Sequence, residues 1–272
     1  MVRIAVCVKQ VPARSEGMMD PATGTIRREG LAAVTNSCDL SAIETALHMK
    51  QAVAARVDVF TMGPPQAVAV VREALSMGAD RGYLLSDPRF SGADVFATGY
   101  TLVQGMSTAA VYDLIVCGKQ TTDGGTSQVG GTIAQMLGMP HVSRVAELVE
   151  AGECGITIVQ ELEQEILTLR VGFPCVVSVE PGIFTPRLPS LRSKLAASKQ
   201  KVTVLSLEDL SDADPTHYGV KGSPTKVEKV YPAALTPRRA PRVMDAEAAA
   251  DLILGQVRRL TRPGGADDAA DA

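Results

Sequence analysis

Leu114-Ile115-Val116-Cys117-Gly118-Lys119-Gln120-Thr121-Thr122-Asp123-Gly124-Gly125-Thr126-Ser127-Gln128-Val129-Gly130-Gly131-Thr132 changes character twice along its length. Residues 113–117 read as a strand whose apolar run, Leu114 to Cys117, is suited to burial on both faces. A glycine- and threonine-rich loop follows, and the stretch 124–137 then takes a helical period that Gly138 and Pro140 stop. Strand, glycine-rich loop and helix form the repeating unit of a parallel sheet. Such a loop brings backbone amides close to an anion at a helix start.

Upstream, the same alternation recurs. Residues 2–8, 57–62 and 83–85 read as strands. Leu40, Ile43 and Leu47 mark a helix, with Ser41-Ala42-Ile43-Glu44 fitting a capping box. Val68, Val71 and Leu75 mark a second, introduced by Pro64-Pro65 and ended by Gly78, and residues 93–110 a third. The pattern predicts an α/β fold with a doubly wound, mostly parallel sheet over residues 1–185. Residues 156–160 and 166–171 flank an acidic turn and predict an antiparallel pair, and 176–179 a return to the main sheet. From Pro186 the chain holds eight of its 16 prolines and little period until 246–260, which reads as a helix. Residues 186–272 are therefore expected as an extended arm ordered by packing on a partner subunit rather than on its own domain, frayed over 263–272.

Composition narrows the function classes. Aromatic residues are 4% with no Trp, and the net charge is −3, so neither stacked aromatics nor a broad basic face for nucleic acid is present. No apolar run approaches a membrane span. Five cysteines without a C-x-x-C pair read as reduced thiols. With Met1-Val2-Arg3-Ile4 running straight into a strand, the expectation is a cytoplasmic chain. His48, His141 and His217 have no metal-ligand spacing, and no nucleophile–base arrangement appears, so neither a metal site nor catalytic side chains are expected. Gly118-Lys119 resembles the end of a P-loop, but Asp113 stands where its first glycine is required. Lys9, Asn36, Met62-Gly63-Pro64-Pro65 and Ser86-Asp87 also follow or precede predicted elements at one sheet end, where such folds bind ligands. Singly, Lys9 reads equally as a solvated lysine and Asn36 as a helix cap.

Taken in order, V-C-V-K-Q-V-P from Val6, A-L-S-M-G-A-D-R-G from Ala74, G-K-Q-T-T-D-G-G-T-S-Q-V-G from Gly118 and P-R-L-P-S-L from Pro186 resemble the small (beta) subunit of electron-transfer flavoproteins. D-P-A-T-G-T-I-R-R-E-G from Asp20, T-M-G-P-P-Q-A from Thr61, the stretch from Ser86 to Leu102 and G-V-K-G-S-P-T-K-V from Gly219 are similar to the flavin-bifurcating branch. The resemblance implies an adenine nucleotide cradled by Cys7, Lys9, Asn36, Cys38, Asp39, Met62 and Gly63. The glycine loop would complete the cradle through Gly118, Lys119, Gln120, Asp123, Gly124, Thr126, Gln128, Val129, Gly130 and Thr132. In the bifurcating branch the nucleotide is FAD, reduced by NADH beside Pro64, Pro65, Ser86, Gly92 and Ala93; in ordinary carriers it is AMP. The implied partners are an alpha subunit with its own FAD, an acyl-CoA or other flavin dehydrogenase met by an anchor at Leu191, and ferredoxin or flavodoxin. A nucleotide-binding scaffold without redox activity is the reading from another class, since doubly wound folds serve many functions.

Overall fold

The computed structural model of the chain describes residues 1–13, 33–226 and 241–260. The N-terminal run Val2–Cys7 (β1) lies at the centre of the sheet, between Ala55–Met62 (β4) and Leu114–Gly118 (β6), parallel to both. Arg81–Leu85 (β5) extends the sheet on one side and Cys175–Val179 (β10) on the other. Among these five strands the spatial order is therefore third, second, first, fourth, fifth, with the reversal between β1 and β6. In such a sheet, the crevice beyond the strand ends at the reversal is where ligands bind.

Alternation along β1 explains the two layers of helix. Ile4 and Val6 face the cluster formed with Ser37–Ala52 (α1) and Val68–Met77 (α2), through Ile43, Leu47, Val71 and Leu75. Ala5 and Cys7 face the opposite cluster, built with Val95–Ala109 (α3) and Val129–Leu137 (α4) through Leu102, Met106 and Ile133. A strand covered on both faces has no polar side to show, hence the apolar run Ile4–Cys7. Gly78 (φ +129°) ends α2 and Gly138 (φ +64°) ends α4, both as expected.

His141–Ala151 (β7) pairs parallel with β10 in its first part and antiparallel with Gly155–Glu161 (β8), which pairs antiparallel with Ile166–Gly172 (β9). The antiparallel pair is the one expected. β7 escaped the sequence reading because Ser143, Arg144, Glu147 and Glu150 interrupt its apolar residues. Gln10–Pro12 (β2) and Ala33–Thr35 (β3) form a small separate antiparallel pair.

Two local expectations are corrected. α1 begins at Ser37, so Ser41 and Glu44 lie inside the helix and form no capping box. Ser41 Oγ instead accepts from the Gly182 amide at 3.3 Å, and the buried Glu44 carboxylate takes the Arg187 guanidinium at 2.7 Å. The helix expected over 124–137 starts at Val129, because Gly125 (φ +63°) and Ser127 (φ +57°) are left-handed and cannot propagate a right-handed helix.

The stretch from Pro186 behaves differently from an arm up to residue 226. Leu191–Lys199 (α5) packs on α2, with Arg72 donating to the Ala197 and Ser198 carbonyls. Val202–Leu205 (β11) joins the main sheet in parallel beside β5. Leu205, Leu207, Leu210 and Tyr218 then bury themselves in the α3/α4-side cluster. These few apolar residues need no core of their own, because they complete one that already exists. The first unit accordingly runs Met1–Val230, and the second, Tyr231–Ala272, holds Ala246–Leu260 (α6). The 20–30 motif, Pro232, Pro237 and the 263–272 tail lie outside the described residues.

Candidate nucleotide site

At the reversal point, the chain leaving β1 meets the chain leaving β6. The Lys9 amide donates to Asp39 Oδ2 at 2.8 Å, and the Lys9 carbonyl accepts from the Asn36 amide at 3.0 Å. Asn36 precedes α1 without making a side-chain cap. Its fully buried side chain instead crosses to the glycine loop: Nδ2 donates to the Gln120 carbonyl at 2.8 Å, and Oδ1 accepts from the Thr122 amide at 3.2 Å. A second tie runs from Lys9 Nζ to Asp123 Oδ1 at 2.7 Å. Lys9, Asn36, Asp39, Gly118, Gln120 and Asp123 thus converge from three elements far apart in sequence.

The loop between these ties and α4 is exposed from Thr122 to Gln128. It turns on itself through the Gly125 amide to the Thr121 carbonyl at 2.9 Å. Thr132 Oγ1 and the Thr132 amide both bond back to the Gln128 carbonyl. The first-turn amides of α4 have no partner within the helix, as at any helix start. A Cβ at Gly124 would lie 3.2 Å from Thr121 Oγ1, a tight contact that a small shift of that hydroxyl would relieve. Gly118 and Gly130 are far tighter: a Cβ at 118 would lie 2.3 Å from Asp39 Oδ1, and one at 130 would lie 2.4 Å from Ser178 Oγ. Their small size serves packing of strand end against helix start, so only part of the glycine pattern belongs to the open loop.

Charge in the corner is balanced at close range. Burial pushes the Asp39 carboxyl up to about 7, against the opposing pull of Asn36, the Lys9 amide and charge, and the Gly118 amide. Burial alone would raise Asp123 too, but the Lys9 ammonium holds it below its ordinary value. Cys7 and Cys117 face each other across the β1–β6 ladder. The neighbouring Cys7 thiol and burial raise Cys117 well above its usual range, which marks it as an inert packing residue. Cys38 is likewise buried.

The second group of expected residues lies at the neighbouring strand ends. Met62, Gly63, Pro64 and Pro65 leave β4, and the Gly63 amide donates to Leu85 at the end of β5, next to Ser86. Gly92 and Ala93 precede α3, whose cap Asp94 accepts from the Ala97 amide and from Thr225, while Ser223 Oγ accepts from the Asp94 amide. The space beside Gly92 is filled by Val220, whose Cγ2 would sit 2.4 Å from an added Cβ. Leu191, at the start of α5, is 76% exposed beside the exposed Leu188 and Leu195. No group of metal-ligating side chains occurs among the described residues. Sequence reasoning missed Glu180 and Arg144, which stand with Lys119 beyond the ends of β10 and β6; neither belongs to a motif.

The electron transfer flavoprotein domain model matches residues 23–210. The electron transfer flavoprotein subunit beta of Megasphaera elsdenii is 38% identical over 237 residues, covering 85% of this chain and 87% of that one. The caffeyl-CoA reductase-Etf complex subunit CarD of Acetobacterium woodii is 40% identical, with 85% and 87% covered. Protein FixA of Azorhizobium caulinodans is 34% identical over 263 residues, with 94% of both covered. The glycine loop at the sheet's reversal point and these matches lead to one conclusion: the chain belongs to the electron transfer flavoprotein family, as one of its beta subunits.

Proposed function

We propose that this beta subunit binds FAD at the β1–β6 crevice and serves NADH-driven electron bifurcation with an alpha subunit. The observation that carries the nucleotide site is the corner in which Asn36 and Lys9 hold the glycine loop open-side out, beside free helix-start amides. Those donors suit an anionic phosphate group, and the family's chemistry makes that group part of an adenine nucleotide. The chemistry such a bound FAD would supply is hydride acceptance from NADH and one-electron transfer, one electron toward the alpha-subunit flavin and a dehydrogenase and the other toward ferredoxin or flavodoxin. The protein's own part is to orient and shield. Lys9 and the α4 start hold phosphate, Asn36 fixes the loop, and Met62–Pro65 with Ser86 form the rim where a nicotinamide would approach.

Bifurcation over simple carriage is favoured by two observations. The 219–225 segment packs onto the start of α3, bringing together two stretches that resemble the bifurcating branch. The caffeyl-CoA reductase-Etf relative is also among the similar proteins. The exposed Leu188, Leu191 and Leu195 suit docking of a dehydrogenase. Five unpaired cysteines suit a cytoplasmic location. Heat extraction of the purified heterodimer tests the reading: two FAD per pair is expected, and one FAD with one AMP would identify an ordinary carrier.

A further inference from the structure

Resting on the dehydrogenase-docking reading above, we infer that Glu44 is a positioning residue. Through Arg187 it pre-organises the exposed leucine bridge Leu188–Leu191 for an apolar recess, rimmed by carboxylates, on a flavin dehydrogenase. Ser41, Glu44 and His48 share one face of α1 at helical spacing. Each of them holds one point of the chain that leaves β10. Ser41 Oγ accepts from the Gly182 amide at 3.3 Å, and the His48 ring stacks on Phe184 with centroids 3.9 Å apart. The tie from Glu44 to Arg187 is the densest of the three. The Glu44 carboxylate accepts from the Arg187 amide at 3.0 Å, from Nε at 3.0 Å and from Nη2 at 2.7 Å. Burial would raise that carboxyl, but the hydrogen bonds and charge of Arg187 hold it below its ordinary value.

Only Leu188, Pro189 and Ser190 separate this latch from α5. Pro189 fixes one backbone angle there. Ser190 caps the helix by accepting from the Ser193 amide at 3.1 Å, and Arg72 pins its far end through the Ala197 and Ser198 carbonyls. The bridge is fastened on both sides, yet Leu188 is 94% exposed and Leu191 76%. Leucines so exposed add nothing to the fold, and a buried ion pair adds little net stability once its desolvation is counted. What the latch supplies is a fixed geometry for side chains that gain only when a partner covers them. The surroundings specify that partner's chemistry. Residues 188–201 carry Arg192, Lys194, Lys199 and Lys201 and no acidic residue. All four are exposed and make no ion pair among the described residues, so a complementary surface brings carboxylates.

The test is calorimetric titration of an FAD-loaded acyl-CoA dehydrogenase into the full chain in complex with its alpha subunit. Glu44→Gln keeps the volume and one acceptor. It is expected to weaken the dehydrogenase about tenfold while the nucleotide content of the complex stays unchanged. Arg187→Ala, at a side chain 33% exposed, should do the same and carries the test if Glu44→Gln does not fold. Arg187→Lys keeps a cation on Glu44 and should stay within about threefold of wild type. A general loss of structure would act whatever stands at 188 and 191, so a double-mutant cycle decides. With Leu188→Ala and Leu191→Ala already present, Glu44→Gln should add less than about twofold. Full additivity, or no effect of Glu44→Gln alone, would overturn the latch and leave the docking surface standing. If the two alanines by themselves leave the affinity unchanged, the docking reading fails and this inference with it.

Discussion

Two stretches without regular period, 119–128 and 206–222, are held in opposite ways. The first is exposed and tied by polar bonds to Asn36, Lys9 and Glu180. The second is anchored by buried apolar side chains, with Tyr218 fully enclosed against Phe90 and Tyr100. Polar ties in a crevice can be exchanged for those of a ligand at little net cost, since one hydrogen bond replaces another. Apolar burial has no such substitute, because the alternative partner is water. The comparison separates a segment whose ties a ligand's could replace from one that completes the fold.

The largest effect is expected in the second stretch. Tyr218→Ala should cost about 3–5 kcal/mol in equilibrium denaturation, as for other large aromatic truncations. A loss below about 1 kcal/mol would mean that 206–222 is not integral to the unit and would erase the contrast. Next comes Asp39, below the first stretch. Its folded carboxyl holds a proton to about pH 7 while the unfolded one releases it near pH 4. Stability is thus unpenalised below pH 4, falls as pH rises toward 7, and is level above. Asp39→Asn removes that decline. Its stability relative to wild type should rise by about 2–4 kcal/mol between pH 4 and pH 8, read from denaturant midpoints at several pH values. Parallel curves for the two proteins would show that folding leaves the Asp39 carboxyl's proton affinity unchanged, against the burial argument. The smallest effect belongs to the loop's own tie. Asn36→Ala should cost about 1–2 kcal/mol and release the Thr122 amide to rapid hydrogen exchange, while amides of β11 keep their protection. If Thr122 stays protected, the loop is not held by Asn36.

The sheet's centre was legible because strands buried on both faces concentrate apolar residues in short runs, as in Ile4–Cys7 of β1, Val59–Phe60 of β4 and Leu114–Cys117 of β6. β7 and β11 were not. β7 carries Arg144 and two glutamates among its apolar residues, and β11 is a four-residue edge strand in a proline-rich context. Glu44 shows a different limit: its spacing from Ser41 fits a local cap, but its partner, Arg187, lies far along the chain. In the site, the loop and Lys9 stood out from their place at strand ends. Asn36 showed only a capping residue's identity, and its crossing to Gln120 exists only once β1 and β6 are neighbours. Gly130 fitted a ligand-approach pattern but is small for the sake of Ser178. Spacing records local geometry, and long-range polar contacts leave no period to read.

β11 pairs with β5 at Leu205↔Leu85, across most of the chain made between them. During synthesis the β5 edge, with Leu84 and Leu85 on it, is complete long before its last neighbour leaves the ribosome. Until residue 205 has emerged, that edge offers unpaired amides and carbonyls to any passing strand. A ribosome stalled shortly before residue 202 would therefore release a chain whose crevice is already assembled but whose sheet remains adhesive, making the last short strand a seal against aggregation.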